Sequence, residues 1–195
     1  AIHASLTGHL VLSTLHTNDA ASAVTRLVEM EIEPFLVRSS VIGILAQRLV
    51  RMLCQQCKVA YEPTQYELRQ LGLDAERLAW KARRPVSPRY AVHGLNYEYI
   101  GQKMGESPVF YKAGGCDACM HKGFMGRRGI YELLIIDDAV GPLILKNADA
   151  LTVKRVALSQ GMDTMRDDGA RKVLMGMTTV EEVLAATQED IIVDE

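Results

Sequence analysis

The segment Thr7-Gly8-His9-Leu10-Val11-Leu12-Ser13-Thr14-Leu15-His16-Thr17-Asn18-Asp19 decides how the rest of the chain is read. Leu10–Leu15 is a short apolar run with β-branched Val11 and Thr14, which predicts a buried strand. Period-two alternation sets Leu10, Leu12, Thr14 and His16 on one face and His9, Val11, Ser13 and Leu15 on the other. Thr17, Asn18 and Asp19 are good N-cap types, and a helical pattern follows from Ala20 to Met30. Strand followed by helix predicts an α/β fold, with His16 at the strand's carboxyl end beside a helix N-terminus. Ligands bind at that edge of open α/β sheets, and helix N-terminal amides favour anions such as phosphate. His16 is therefore a candidate phosphate contact, assisted by Thr14 or Thr17. A capping role for the same histidine stays open.

Working outward, Pro34 predicts the start of a strongly apolar helix running to about Leu53, with Phe35, Val41, Ile42, Leu45 and Leu49 at core spacing. Arg48 and Arg51 then lie one turn apart near its end, where a helix dipole favours cations. Residues 58–115 differ in texture: they hold four of the six prolines, the single Trp and a basic run at Lys81, Arg83, Arg84 and Arg89. They read as an insertion with short helices near 64–71 and 75–82, its basic run a solvated loop or a contact for anionic lipid or an acidic partner. A strand at 128–136 and helices near 138–147, 151–160, 163–175 and 179–188 follow. Gly161 and Gly176 mark helix ends, and Thr178 with Glu181 or Thr179 with Glu182 offers a capping box. Residues 189–195 are acidic and read as frayed.

The chain has 195 residues, 48% hydrophobic and 24% charged, which excludes wholesale disorder. Its formal charge of −2 gives no global case for nucleic-acid or membrane binding, and no nucleic-acid partner is expected. The apolar stretch 34–53 is broken by Arg38, Gln47, Arg48 and Arg51, so it should not span a bilayer. No signal peptide opens the sequence, and Ala1 in place of an initiator Met suggests a fragment.

Four cysteines stand in two tight pairs, Cys54/Cys57 and Cys116/Cys119. Paired Cys-x-x-Cys knuckles are the spacing of a four-thiolate zinc site, and four protein ligands leave no open position, so such a Zn²⁺ is structural. Gly114, Gly115 and Gly123 supply permissive backbone, and Lys58, Lys122, Arg127 and Arg128 lie near enough in sequence to offset the thiolate charge. His93 and His121 are better read as surface histidines than as further ligands.

Several segments together resemble one family. Thr7-Gly8-His9 through Thr14-Leu15-His16-Thr17-Asn18-Asp19 resembles the histidine box of the secretion ATPases, the hexameric motors of type II secretion and type IV pilus assembly. The likeness continues through Ile32-Glu33-Pro34-Phe35 and Leu45-Ala46-Gln47-Arg48-Leu49-Val50-Arg51 into the first Cys pair. It resumes at the second pair, at Gly126-Arg127-x-Gly129-Ile130-x-Glu132, at Met165-Arg166-Asp167-Asp168-Gly169 and at Thr179-Val180-Glu181-Glu182-Val183. Retraction motors generally lack the four cysteines, and the Glu-Pro-Phe and Arg-Asp-Asp-Gly segments stand closer to the type II secretion branch than to pilus assembly.

The resemblance implies the C-terminal part of a RecA-like ATPase core with a four-cysteine zinc arm and a C-terminal helical module. Its divisions fall at 1–53 for the core, 54–119 for the arm with the long insertion 58–115, and 120–195 for the end of the core and the module. His16, and with it His9, would act in nucleotide sensing or coupling near the γ-phosphate, with Thr14, Thr17, Arg48 and Arg51 as further contacts. It also implies ATP and Mg²⁺ as ligands of the full-length protein, a homo-hexamer, inner-membrane secretion or pilus platform partners, and a cytoplasmic place at the inner membrane.

Two departures stand out. Nothing matches G-x-x-x-x-G-K-[ST], so the chain alone is expected neither to bind ATP tightly nor to hydrolyse it. Glu31 replaces a Gly common in the family, read as a minor surface change. A naturally short zinc-binding adaptor and a zinc-ribbon nucleic-acid binder are the competing readings, the latter disfavoured by net charge.

Overall fold

The computed structural model describes residues 2–83, Tyr90 and 108–187. Within them the chain forms two compact units, one from residues 2–46, Tyr90 and 132–162, the other from 47–83, 108–131 and 163–187. The architecture is mixed α/β. In chain order the elements are α1 (Ile2–Leu6), α2 (Ala20–Glu29), α3 (Pro34–Ser40), β1 (Gly43–Leu53), β2 (Val59–Tyr61), α4 (Gln65–Gln70) and α5 (Ala75–Arg83). They continue with β3 (Phe110–Lys112), a 3-10 turn (Asp117–Cys119), β4 (Phe124–Ile135), α6 (Gly141–Leu145), α7 (Ala150–Ser159), α8 (Met165–Leu174) and α9 (Val180–Ala186). β1 pairs with β4, and β2 with β3. Ile136 N–H donates to Ile42 O beyond one end of the long ladder and Cys54 N–H to Gly123 O beyond the other, so β1 and β4 run antiparallel.

Each unit has its own apolar centre. In the first, Ala20, Ala21 and Val24 of α2 pack with Val37, Leu134, Val140, Ile144, Val153 and Ala157. In the second, Leu68, Leu71 and Leu73 around α4 pack with Phe110, Val173, Val180 and Val183. Side-chain caps start the helices where the sequence offers them: Asp19 accepts from Ser22 N–H, and Thr64 and Glu67 form a capping box. Thr179 caps α9, while the Glu182 carboxylate turns instead to Arg51.

Two expected elements are different in the structure. Leu10–Leu15 is not a strand. The run has no ladder partner among the described residues, and Leu10 and Leu12 stand 80% and 89% exposed. An extended run becomes a strand only by exchanging hydrogen bonds with a neighbour. The single helix expected over 34–53 is a short helix followed by a strand. The Ser39 and Ser40 hydroxyls bond back to Leu36 O, Val41 is extended, and β-branched Val41, Ile42 and Ile44 favour the pleated chain. Leu45 and Leu49 mimic helical i, i+4 spacing, yet both lie on the exposed face of β1, 58% and 52% exposed. Arg48 and Arg51, three apart on a strand, therefore fall on opposite faces and meet no helix dipole.

Glu31 also departs from its reading as a minor surface change. Glu31 N–H bonds Val28 O and Ile32 N–H bonds Leu27 O, the paired bonds of a Schellman cap closing α2. The same pair of bonds closes α7 at Gly161 and α8 at Gly176, both with positive φ. Glu31 holds φ 62° there without being glycine, so its substitution is a backbone matter. We expect Glu31→Gly to raise stability by about 1 kcal/mol and Glu31→Ala to raise it by much less, read from urea midpoints. Equal midpoints for Gly and the native Glu would refute a strained cap.

Candidate metal centre and the histidine segment

Two ladders bring the cysteines together. β1 delivers Cys54, β4 departs just after Gly123, and Cys54 N–H donates to Gly123 O at 2.9 Å. The β2–β3 pairing, in register Val59↔Lys112 to Tyr61↔Phe110, brings the chain after Cys57 beside the chain before Cys116. Each knuckle is a tight turn: Lys58 N–H bonds Cys54 O at 3.1 Å, and Cys119 and His121 N–H bond Cys116 O at 3.2 and 2.9 Å. At Gly114 an added Cβ would lie 2.0 Å from Cys57 O, so only glycine lets the two knuckles close on each other.

The four sulfurs lie within 4.8 Å of one another and form no disulfide. Cys54 Sγ is 3.9 Å from Cys116 Sγ, and Cys119 Sγ is 3.8 Å from both Cys57 Sγ and Cys116 Sγ. A tetrahedral Zn²⁺ with metal–sulfur bonds near 2.3 Å requires sulfur–sulfur edges of about 3.8 Å. The donor set and spacing therefore fit a four-thiolate ion.

The electrostatics are uneven across the cluster. Backbone N–H bonding from Cys116 and, further, from Gly123 lowers the Cys119 thiol to about 6, against the desolvation that raises it. Desolvation, then the neighbouring sulfurs, push Cys57 up to about 12. Crowded thiols ionise together only with a cation among them, and a bound metal supplies it. The expected basic offset is only partly directed here. Lys58 Nζ donates to Gly176 O at 3.1 Å and sits over the Tyr111 ring, while Lys122, Arg127 and Arg128 are exposed. His121 is a surface residue paired with Asp117 at 3.0 Å; His93 lies outside the described residues.

The histidine segment precedes α2 in the first unit. His9, Thr14 and His16 are exposed, and His9 Nδ1 lies 3.1 Å from the Thr7 hydroxyl. Thr17 is half-buried, its hydroxyl donating to Asp19 O at 3.1 Å. Two amides at the start of α2 are already satisfied from within the chain. Ala20 N–H donates to the buried Glu132 carboxylate at 2.9 Å, and Ser22 N–H to Asp19 at 2.8 Å. Those carboxylates hold two of the amides expected to meet phosphate. Lys154 faces Asp19 at 3.4 Å.

Arg48 Nη1 donates to Gln47 O at 3.2 Å. Arg51 grips Glu182 through Nη2 and Nε at 2.6 and 3.0 Å and lies 4.2 Å from the Phe124 ring centre. The sequence reading missed a buried network on α8. Lys81, expected in a solvated loop, is 4% exposed and pairs with Asp167, which Arg77 approaches at 3.8 Å. Asp168 holds Arg171 and Lys172 and accepts from Tyr131 N–H at 3.0 Å. Arg84 and Arg89 lie outside the described residues.

Comparison with known proteins joins these features. The family described as Type II/IV secretion system protein matches residues 1–185. Type II secretion system protein E of Pseudomonas aeruginosa is 46% identical over 190 residues, covering 97% of this chain and 32% of that protein. Type IV pilus assembly ATPase PilB of Thermus thermophilus is 42% identical, covering 97% of this chain and 18% of that protein. Type II secretion system ATPase E of Vibrio cholerae is 43% identical, covering 97% and 32%. The chain thus spans a third or less of the length of these relatives. No helix among the described residues is long and apolar enough to cross a membrane. A match over nearly the whole chain, carrying both the cysteine knuckles and the histidine segment, places this chain in the type II/IV secretion system protein family.

Proposed function

We propose that this chain is the C-terminal portion of an ATP-driven motor for type II protein secretion. The observation that carries the reading is the family match over residues 1–185, with relatives named as secretion-system ATPases. In this reading residues 1–53 complete a RecA-like core, 54–119 form a zinc arm, and 120–195 end the core and form a helical module. Leu10–Leu15 becomes a strand once the rest of the protein supplies its neighbours, which accounts for two exposed leucines in an alternating run. The subunits assemble as a hexamer at the cytoplasmic face of the inner membrane and act on platform proteins. A pilus assembly motor is the second reading, favoured by the 42% identity to the Thermus ATPase.

Cys54, Cys57, Cys116 and Cys119 hold a structural Zn²⁺, which supplies charge and cross-linking but no open position for chemistry. ATP and Mg²⁺ bind only in the full-length protein, where a phosphate-cradling loop is present. His16 and His9 sense or couple the nucleotide there, with Thr14, Thr17, Arg48 and Arg51 as auxiliary contacts. With Ala20 and Ser22 N–H held by Glu132 and Asp19, a phosphate at this edge is met chiefly by side chains. In the full-length protein His16→Ala should lower ATP turnover by at least about tenfold while leaving the melting temperature unchanged. Unchanged turnover would remove His16 from the mechanism.

A further inference from the structure

Glu132 closes the Gly126–Glu132 segment, and neither the cysteine cluster nor the nucleotide contacts give it a role. It stands on β4, 1% exposed, in the same compact unit as α2 and the histidine segment. Burying a carboxylate is costly unless it is bonded, and an apolar side chain of similar volume would fill the space without that cost. There the carboxylate accepts Ala20 N–H at 2.9 Å. Ala20 is the first residue of α2, so its amide has no acceptor within the helix. Asp19 already supplies the ordinary cap, accepting Ser22 N–H. Glu132 adds a second hold, brought from a strand 112 residues away.

The group it holds is the peptide between Asp19 and Ala20. That unit is planar, so fixing its N–H also fixes its C=O. Asp19 O in turn accepts from the Thr17 hydroxyl at 3.1 Å, and Thr17 adjoins His16. Glu132, one peptide plane and Thr17 thus form a continuous line from a buried strand residue to the neighbour of the histidine. Lys154 steadies the same point by facing Asp19 at 3.4 Å. Residues 12–16, beyond the end of that line, are all exposed. We propose that Glu132 is a positioning residue for His16, setting the direction in which residues 16–19 leave α2 through its bond to Ala20 N–H. The role rests on the reading of His16 as a nucleotide-sensing or coupling residue. A side chain that must meet a phosphate from an exposed segment gains from a fixed point of departure, because small misplacements are costly in rate.

Glu132→Met and Glu132→Gln separate this role from packing. Met keeps the length of the side chain without a carboxylate acceptor, whereas Gln keeps a carbonyl oxygen for Ala20 N–H. In this chain the Ala20 amide should exchange slowly with deuterium in the native and Gln forms, and at least about tenfold faster in the Met form. In the full-length protein, with ATP as the probe, Glu132→Met should lower kcat by at least about fivefold and leave KM within about twofold. Glu132→Gln should recover most of that turnover, with melting temperature as the check on folding. Placed in a His16→Ala background, Glu132→Met should lower kcat no further, since the positioned side chain is already gone. A second, multiplicative loss in that background overturns the positioning role and leaves the reading of His16 intact. So does an equal loss of turnover in Glu132→Gln and Glu132→Met. An Ala20 amide unprotected in the native chain overturns the role as well, whether or not Glu132→Met folds. Native turnover in His16→Ala alone would instead remove the reading of His16, and the role with it.

Discussion

Cys116→Ser should both empty the metal site and loosen the unit built around it. The native chain is expected to carry about one Zn²⁺ and the variant a small fraction of that, by elemental analysis of dialysed protein. Sulfur–sulfur separations of 3.8 and 3.9 Å match a tetrahedral ion and are far longer than a disulfide bond. A bound ion would join β1 and β2, through Cys54 and Cys57, to the chain between β3 and β4, through Cys116 and Cys119. Structural zinc contributes roughly 10–16 kcal/mol in peptides that fold only around it. Here the second unit also has an apolar centre around Leu71, Phe110 and Val173, so its loss should cost less, about 4 kcal/mol or somewhat more. A chelator should lower the melting temperature of the native chain and do little further to Cys116→Ser. Acid should release the metal too, since protons compete for the thiolates. A variant with full zinc content and native melting would rule out the four-thiolate site.

What the sequence made legible follows the range of the forces involved. The cysteine cluster could be read because Cys-x-x-Cys spacing makes each knuckle locally, with only the meeting of the two left to the fold. α2, α4, α5, α7, α8 and α9 could be read because caps such as Asp19, Thr164 and Thr179 act within three residues of the helix start. β1 was hidden because Leu45 and Leu49 share a helical spacing, and only the pairing with β4 selects the strand. Glu31 looked like a surface change because side-chain character says nothing of a φ of 62°. The bond from Ala20 N–H to Glu132 was equally out of reach, its donor and acceptor lying 112 residues apart. Lys81 belongs to the same class: its partner Asp167 is 86 residues away.

That pair supplies the second large effect. Asp167→Asn keeps the volume of the side chain and can still accept from Thr164 N–H, the bond that closes the cap of α8. It removes the counter-charge of Lys81, which is 4% exposed and would be left as a buried cation facing an amide. Losing one partner of such a pair costs about 3–5 kcal/mol, because the remaining charge stays buried with one counter-charge fewer. Combining Lys81→Met with Asp167→Asn should recover much of that loss, a coupling that independent sites would not show. The pH dependence fixes the sign. Burial alone would raise the Asp167 carboxyl, but the Lys81 ammonium and Arg77 guanidinium more than reverse it, holding it below the usual carboxylate range. The native chain therefore has the full benefit of the pair above the ordinary Asp value of about 3.9 and loses it as pH falls through the depressed folded value. The stability gap between native and Asp167→Asn chains should be widest near neutrality and close in acid. Equal urea midpoints at pH 7, or a gap that persists unchanged through the acid range, would mean that Lys81 and Asp167 do not hold α5 against α8 by charge.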